Sequence, residues 1–576
     1  MRRLSAPVAV LVLLLCAACV SLPTDGKVRV TEESADARPD TGFPYNPRPP
    51  QEGETPAEIV RHFLDAMTAN PISTAVAREF LTAEERQSWR PDEAMLTYAD
   101  LTTPLGGSTV EVNLLGGHRL DGRGAWQGAL SADDARLRFT MASEDGEWRI
   151  AEAPDAMIVP DSWFADRYTQ ASLFFFDPTG TILVPEPVFV PRGDQLATAL
   201  VSGLLRGPVA RHADVTQTFI PRGLKVDFSI PVPQDGLAEV ALTGEAPTFD
   251  ADTLELLTAQ VAWTLRQDPS IERFRITLNG NPVTGTGVRS DVDTSIAEVF
   301  DPAVRDSWLA PFALLKGRLV SVNASGAQPL DGPFGVRDYG LRSIGVDLDA
   351  ERVAGITDDG STALLGQVES GGEAGTVLQG ASNLLKPAWD HNGALWLLDA
   401  APAGAQVRVL VGNRLRTVEV PGVSGERVVD FLVSRDGSRL VAIVAGAGGD
   451  RVVVSRLARR GARIRGVGGG SVWNEPGEKL DLRALAWRTP TEVLVARAIT
   501  RDLTQVTRRS VDGSTALSTG DVASELVRDR VTGLVSAPLS GYPAWAVGTD
   551  GQVHLVASRE DGFVPSAQLR ALAYVG

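Results

Sequence analysis

A strand–turn–strand unit recurs in the C-terminal half of this chain, and its period restricts the fold more than any other feature. Ser343-Ile344-Gly345-Val346-Asp347-Leu348-Asp349, Pro387-Ala388-Trp389-Asp390-His391-Asn392-Gly393 and Asp430-Phe431-Leu432-Val433-Ser434-Arg435-Asp436-Gly437 each join an apolar strand to a tight turn. A second strand follows in each, over residues 352–356, 394–398 and 439–444. The turn positions Asp349, Asn392 and Asp436 lie 43 and 44 residues apart. Weaker copies begin at Ala484 and Gly533. One such unit cannot bury both faces of its strands, so copies must stack. An all-β period of about 40 to 50 residues is that of four-stranded propeller blades. Residues 301–576 have almost no helical period and give room for five or six blades.

A single blade array does not use up 576 residues, so the chain is multidomain. Arg2 and Arg3 precede an apolar run from Ala6 to Leu15, and small residues Ala17 and Ala18 lead into Cys19. The run is too short for a permanent span and reads as a secretory leader over residues 1–18. Both cysteines, Cys16 and Cys19, fall here, so the mature chain has no disulfide framework. A lone cysteine behind small residues is the expected lipidation site. Two acyl chains on Cys19 would hold the protein on the outer face of the cell membrane. The small residues before Cys19 resemble the bacterial lipobox, in which the thiol is diacylated, with Cys16 where leucine usually stands; ordinary cleavage after Ala18 with a free cysteine is the alternative. Residues 19–54 are rich in Pro and acidic side chains, lack any period, and read as a tether.

Residues 55–165 read as a small α+β domain. Thr55 and Pro56 suit the N-cap and first turn of a helix carrying Ile59, Val60, Phe63, Leu64 and Met67 at helical spacing. Short helices at 75–81 and from Thr82 come next, and then the period changes to two for an antiparallel meander. Residues 166–290 read as β-α-β-β-α-β, with helices over 196–205 and 252–266 and strands over 173–176, 182–190, 224–230, 237–242 and 274–278.

The search for chemistry gives no catalytic residue, cofactor site or metal site. The five histidines (His62, His118, His212, His391 and His554) include no pair at helical metal-ligand spacing. No nucleophile elbow, phosphate loop or dinucleotide fingerprint occurs. Gly466–Gly470 reads as an inter-strand loop, Asp358-Asp359 as a hairpin turn, Trp389 as core between blades and Glu255 as a solvated helix face. A net charge of -17 excludes a nucleic-acid partner on electrostatic grounds. Propeller active sites can gather polar residues from distant blades without a linear motif, so an envelope hydrolase stays open as an alternative. A peptidoglycan- or glycan-binding module is a second.

The order of lipid-bearing cysteine, α+β domain, β-α-β-β-α-β unit and propeller resembles the actinobacterial LpqB lipoprotein family, and Cys19-Val20-Ser21-Leu22-Pro23 is similar to the start of its mature members. The middle unit is similar to the GerMN domain at Leu204-Leu205-Arg206-Gly207-Pro208, Ile220-Pro221-Arg222-Gly223, residues 259–265 and Leu278-Asn279-Gly280. Ser434-Arg435-Asp436-Gly437 is similar to the Ser-Pro-Asp-Gly turn of TolB-like propellers, with arginine in place of proline. The resemblance implies a non-enzymatic accessory that binds the extracellular region of the MtrB histidine kinase. Through the MtrA response regulator it would then affect wall turnover and division.

Overall fold

The computed structural model describes residues 44–576, apart from 246–248, 284–290, 305–306, 469–471, 474–478, 515–523, 540, 558–564 and 566–568. Cys19 and the leader lie outside the described residues.

The chain joins the folded body ahead of Thr55. Tyr45 and Asn70 exchange two backbone hydrogen bonds at 3.0 and 2.9 Å, and Glu54 meets the His62 ring at 2.6 Å. The first helix, Pro56–Ala66, starts on a reciprocal cap. The Thr55 hydroxyl accepts from Glu58 N–H, and the Glu58 carboxylate accepts from Thr55 N–H at 2.9 Å. Its apolar stripe buries Phe63 against Trp89 and Phe139, with ring centroids 5.3 and 6.0 Å away. The sheet beneath alternates as its period requires: Val110, Val112 and Leu114 of Thr109–Leu115 face inward, and Glu111, Asn113 and Leu115 face out. The expected meander is incomplete, because Ala94–Tyr98 pairs parallel with Met157–Pro160 and antiparallel with His118–Asp121. These segments are short and carry few alternating positions, which hid them from a periodicity argument.

The middle unit holds both expected helices, Leu196–Leu205 and Ala251–Leu265, the second capped by the Asp250 carboxylate. Leu237–Thr243 and Arg273–Leu278 are parallel, and Ala251–Leu265 is their crossover. Two expectations need correction. The first two strands are longer, Tyr168–Phe176 and Leu183–Pro191, and form a hairpin sheet of their own. The strand expected over 224–230 shrinks to Lys225–Val226. Pro231 and Pro233 remove backbone donors just beyond it, and the Ile230 N–H turns to the Thr198 hydroxyl at 2.9 Å. Gly124 joins this hairpin to the first domain. At its φ of 82° a side chain is strained, and a Cβ there would stand 2.1 Å from the Phe189 carbonyl oxygen.

Among the described residues six sheets make up the propeller. Four are built in sequence from Leu341 to Val527, and a fifth shows three described strands from Val531 to Ala557. The sixth closes the ring: Phe312–Leu315, Arg318–Asn323 and Gly326–Pro329 come from the start of the domain, and Leu569–Ala573 from its end. Closure by both ends is as the edge problem demands, because an open ring would leave two unpaired sheet edges. The repeat alone would let the strand near Arg318–Val322 close on the strand near Leu569–Tyr574, but the strand that meets Leu569–Ala573 is Phe312–Leu315, and Arg318–Asn323 takes the next position out. The last residues then reach the neighbouring blade, where Val346 and Val575 form a parallel bridge. Trp389 is fully buried between blades, its indole N–H donating to the Gly345 carbonyl at 3.0 Å, and Trp487 repeats the contact with Val433 at 2.9 Å. Gly466 lies at a strand end (Arg463–Val467) and not in an open loop; a Cβ there would be 2.6 Å from the Glu419 oxygen of the preceding blade.

Candidate functional site

The residues that a catalytic reading would pick from the propeller sit on equivalent turns of adjacent blades. His391 donates its backbone N–H to the Arg435 carbonyl at 2.9 Å, and its ring Nδ1 lies 3.2 Å from the same oxygen. Asp436 is buried. One of its oxygens accepts from the Ser434 hydroxyl and the Ser438 N–H at 2.6 and 2.7 Å, while the other faces Arg439 at 3.7 Å. Both residues serve to shape and join their turns. Asp359 does the same in the Thr357–Thr362 hairpin turn, where hydroxyl and N–H donors of Thr357 and Ser361 hold it down at about 2. His118 packs on Trp126 at 4.7 Å and His554 meets Asp529 at 2.9 Å, so the histidines are dispersed. Among the described residues no three acidic, histidine or cysteine side chains cluster at metal-binding range.

The chemistry concentrates instead where the middle unit meets the propeller. The hairpin of the middle unit carries Glu186 between Pro185 and Pro187, with most of its side chain buried. Its carboxylate pairs with Arg456 and stands 3.4 Å from Arg439, which is itself fully buried and donates to the Pro185 carbonyl at 2.5 Å. Burial alone would raise Glu186, but the Arg456 and Arg439 guanidiniums outweigh it and hold the group at about 2. Further along the strand that carries Arg456, Arg459 donates to Asp390, which also accepts from the Trp396 indole at 3.0 Å. Gln170 extends the junction to the Ser510 hydroxyl at 2.8 Å.

Arg435, the residue that replaces proline in the TolB-like turn, has a specific use. It donates to the carbonyls of Ala303 at 2.7 Å and Val575 at 2.9 Å and to the Ser307 hydroxyl at 3.0 Å. It thereby ties the segment entering the propeller and the one leaving it to a single blade. Burial lowers it to about 10, which leaves it cationic at neutral pH. Elsewhere on an inner strand, burial pushes Asp430 up to about 6, against the pull of the Leu485 and Phe431 N–H groups and of Lys386. Burial likewise draws Lys386 downward.

Among the described residues, hollows lie along the joints between the domains. One of about 420 Å³ lies between Phe174 and Trp263 of the middle unit and Thr489–Thr491 and Tyr542 of the propeller. One of about 560 Å³ separates the first domain from the middle unit and is lined by Arg123, Tyr168 and Arg206. The largest, about 900 Å³, lies between Thr179 and Asp214 of the middle unit and the arginine-bearing outer parts of two blades. None was anticipated from sequence. The available signal was a glutamate flanked by prolines inside an apolar strand, together with arginines inside otherwise apolar blades. A buried guanidinium requires a carboxylate somewhere else in the fold.

Comparison with known proteins gives the same succession of domains. Residues 49–165 match the model of the lipoprotein LpqB N-terminal domain, residues 172–284 that of the sporulation and spore germination domain, and residues 317–533 that of the lipoprotein LpqB β-propeller domain. The lipoprotein LpqB of Streptomyces coelicolor is 29% identical over 469 residues, covering 75% of each chain. That of Streptomyces avermitilis is 27% identical over 601 residues, covering 95% of this chain and 92% of its own. The first GerMN domain of the sporulation protein GerM from Bacillus subtilis, a solved structure, shares 22% identity over 22% of this chain and 97% of its own length, with a TM-score of 0.19. With its N-terminal, GerMN and propeller domains in this order, the chain belongs to the LpqB lipoprotein family.

Proposed function

We propose that the protein is a membrane-anchored, extracytoplasmic accessory of a sensor histidine kinase of the MtrB type, held to the cell membrane by lipid on Cys19 and acting by docking without a catalytic step. The observation that carries this reading is the buried junction around Glu186. It fuses the GerMN unit and the propeller into one body and spends the strongest charges of the region on internal contacts. A rigid, preorganised body loses less entropy on docking than two tumbling domains would. Attachment to the same membrane as the sensor raises the effective concentration of the partner into the millimolar range for a short flexible tether, so modest affinity suffices. The docked state would shift the kinase equilibrium and, through MtrA, the programme of wall turnover and division.

The test joins binding to genetics. The purified mature chain is titrated against the extracellular domain of the sensor, and a deletion strain is complemented with a Cys19→Ala form. The reading expects saturable binding in the first experiment and loss of kinase-dependent transcription in the second. Full complementation by a secreted, unanchored form, or turnover of peptidoglycan fragments by the purified chain, would transfer support to the hydrolase reading.

A further inference from the structure

The 900 Å³ hollow differs in charge from the rest of an acidic protein. Its wall carries Arg416 from an outer strand of one blade and Arg459, Arg460, Arg463 and Arg465 from the outer hairpin of the next. Asp214, reaching over from the GerMN unit, is the one acidic residue lining it. Arg459 is consumed by Asp390 inside the blade. Arg465 pairs with Asp214, and Arg460 stands 3.9 Å from the same carboxylate with 91% of its side chain exposed. The side chains of Arg416 and Arg463 make no hydrogen bond or ion pair among the described residues. The cleft therefore holds about three guanidiniums without full compensation, in a chain of net charge -17.

We infer that this cleft is a binding site for an extended acidic segment of a protein partner, whose Asp or Glu carboxylates pair with Arg416, Arg460 and Arg463. The inference rests on the docking reading and names the surface that reading lacks. Two features favour a peptide carboxylate over other anions. The cleft already accommodates one side-chain carboxylate, that of Asp214, between Arg465 and Arg460, so the donor geometry suits that group. Arg463 stands two positions from Arg465 on one face of a strand, about 6.8 Å away, and a segment that displaces Asp214 would meet both. Acidic residues at alternate positions of an extended peptide repeat at the same interval.

The probe is a fluorescent decapeptide of alternating Glu and Thr, titrated onto the full mature chain at low and at physiological salt. Wild type should bind it, more weakly as salt rises. Arg416→Glu with Arg463→Glu should weaken binding at least about tenfold, because two attractions become repulsions. The matching double lysine variant should retain most of it, which separates loss of charge from loss of fold. Asp214→Asn removes the internal competitor and should tighten binding about two- to fivefold. Unchanged affinity in the charge-reversed variant overturns the inference, as does binding of tripolyphosphate by these arginines without binding of the peptide. The sensor domain separates the two proposals. Peptide binding without sensor binding sinks the docking reading alone, whereas equal sensor binding by wild type and the charge-reversed chain sinks the cleft alone.

Discussion

Glu186→Gln keeps the size of the side chain and one acceptor oxygen while it removes the charge that faces Arg456 and Arg439. Arg456 is then left buried without its anion, and Arg439 keeps only the more distant Asp436 carboxylate at 3.7 Å. The magnitude follows from the carboxyl itself, which is held at about 2 against an ordinary 4.5. At 1.36 kcal/mol per unit, that depression corresponds to about 3 kcal/mol. Removal of one partner from a buried pair costs about 3–5 kcal/mol by general experience. The two figures agree, and most of the loss should fall on the contact between the GerMN unit and the propeller. The sign with pH is fixed. A depressed folded pKa stabilises fully above about pH 4.5 and is lost as pH falls towards 2, so the variant deficit should be complete at neutral pH and shrink in acid. Urea unfolding followed by tryptophan fluorescence would show an earlier midpoint, and limited proteolysis would cut between the two domains. A second variant removes the carboxylate and its nearer guanidinium together, Glu186→Leu with Arg456→Met, leaves Arg439 to Asp436, and should recover part of the loss. An unchanged midpoint in Glu186→Gln, with unchanged proteolysis, would refute the claim that charge holds the junction.

Three further outcomes are expected. Between pH 4 and pH 8 the stability of Asp430→Asn relative to the parent should rise by about 2 kcal/mol, on top of a pH-independent cost for the one N–H donor that an amide cannot accept, because a folded pKa of about 6 above an ordinary 3.8 contributes stability only in acid and loses it as pH rises through 6; thermal melts across this range measure it, and a constant difference would contradict it. Deletion from Leu569 onward removes the inner strand from the closing sheet and exposes the edge of Phe312–Leu315, so the truncated chain should aggregate or become protease-sensitive, and a melt like that of the parent would argue against ring closure. His391→Ala should leave complementation of a deletion strain intact, since its backbone N–H, which bonds to Arg435, survives the change; failure of the folded variant would point to chemistry on that turn.

Legibility from sequence divides along a physical line. Whatever repeats locally was readable. The helices at 196–205 and 251–265, the alternation in Thr109–Leu115 and the strands of the first three blade repeats all follow from apolar spacing within ten residues. Trp389 likewise sits between blades as its position in the repeat required. What failed were the short or interrupted strands. Ala94–Tyr98 and Met157–Pro160 have too few residues to show a period, and the strand expected to run to Ile230 stops at Val226, short of the prolines. The junction was invisible for a different reason. Glu186 and Arg456 are 270 residues apart, and nothing near either one says that the other exists. Yet each breaks a local rule. Glu186 interrupts an otherwise apolar strand, and Arg439 opens a strand that is buried throughout. Ser434-Arg435-Asp436-Gly437 breaks the TolB-like pattern in the same way, and Arg435 turns out to clasp the entering and leaving segments of the propeller. Such local violations mark the places where distant parts of a chain must meet, because a charge in an apolar setting is tolerable only with its counterpart in place. On that criterion the arginines of the outer blade hairpin divide into two kinds. Arg459, buried and answered by Asp390, belongs to the architecture, whereas Arg416 and Arg463, unanswered within the described chain, belong to the surface that awaits a partner.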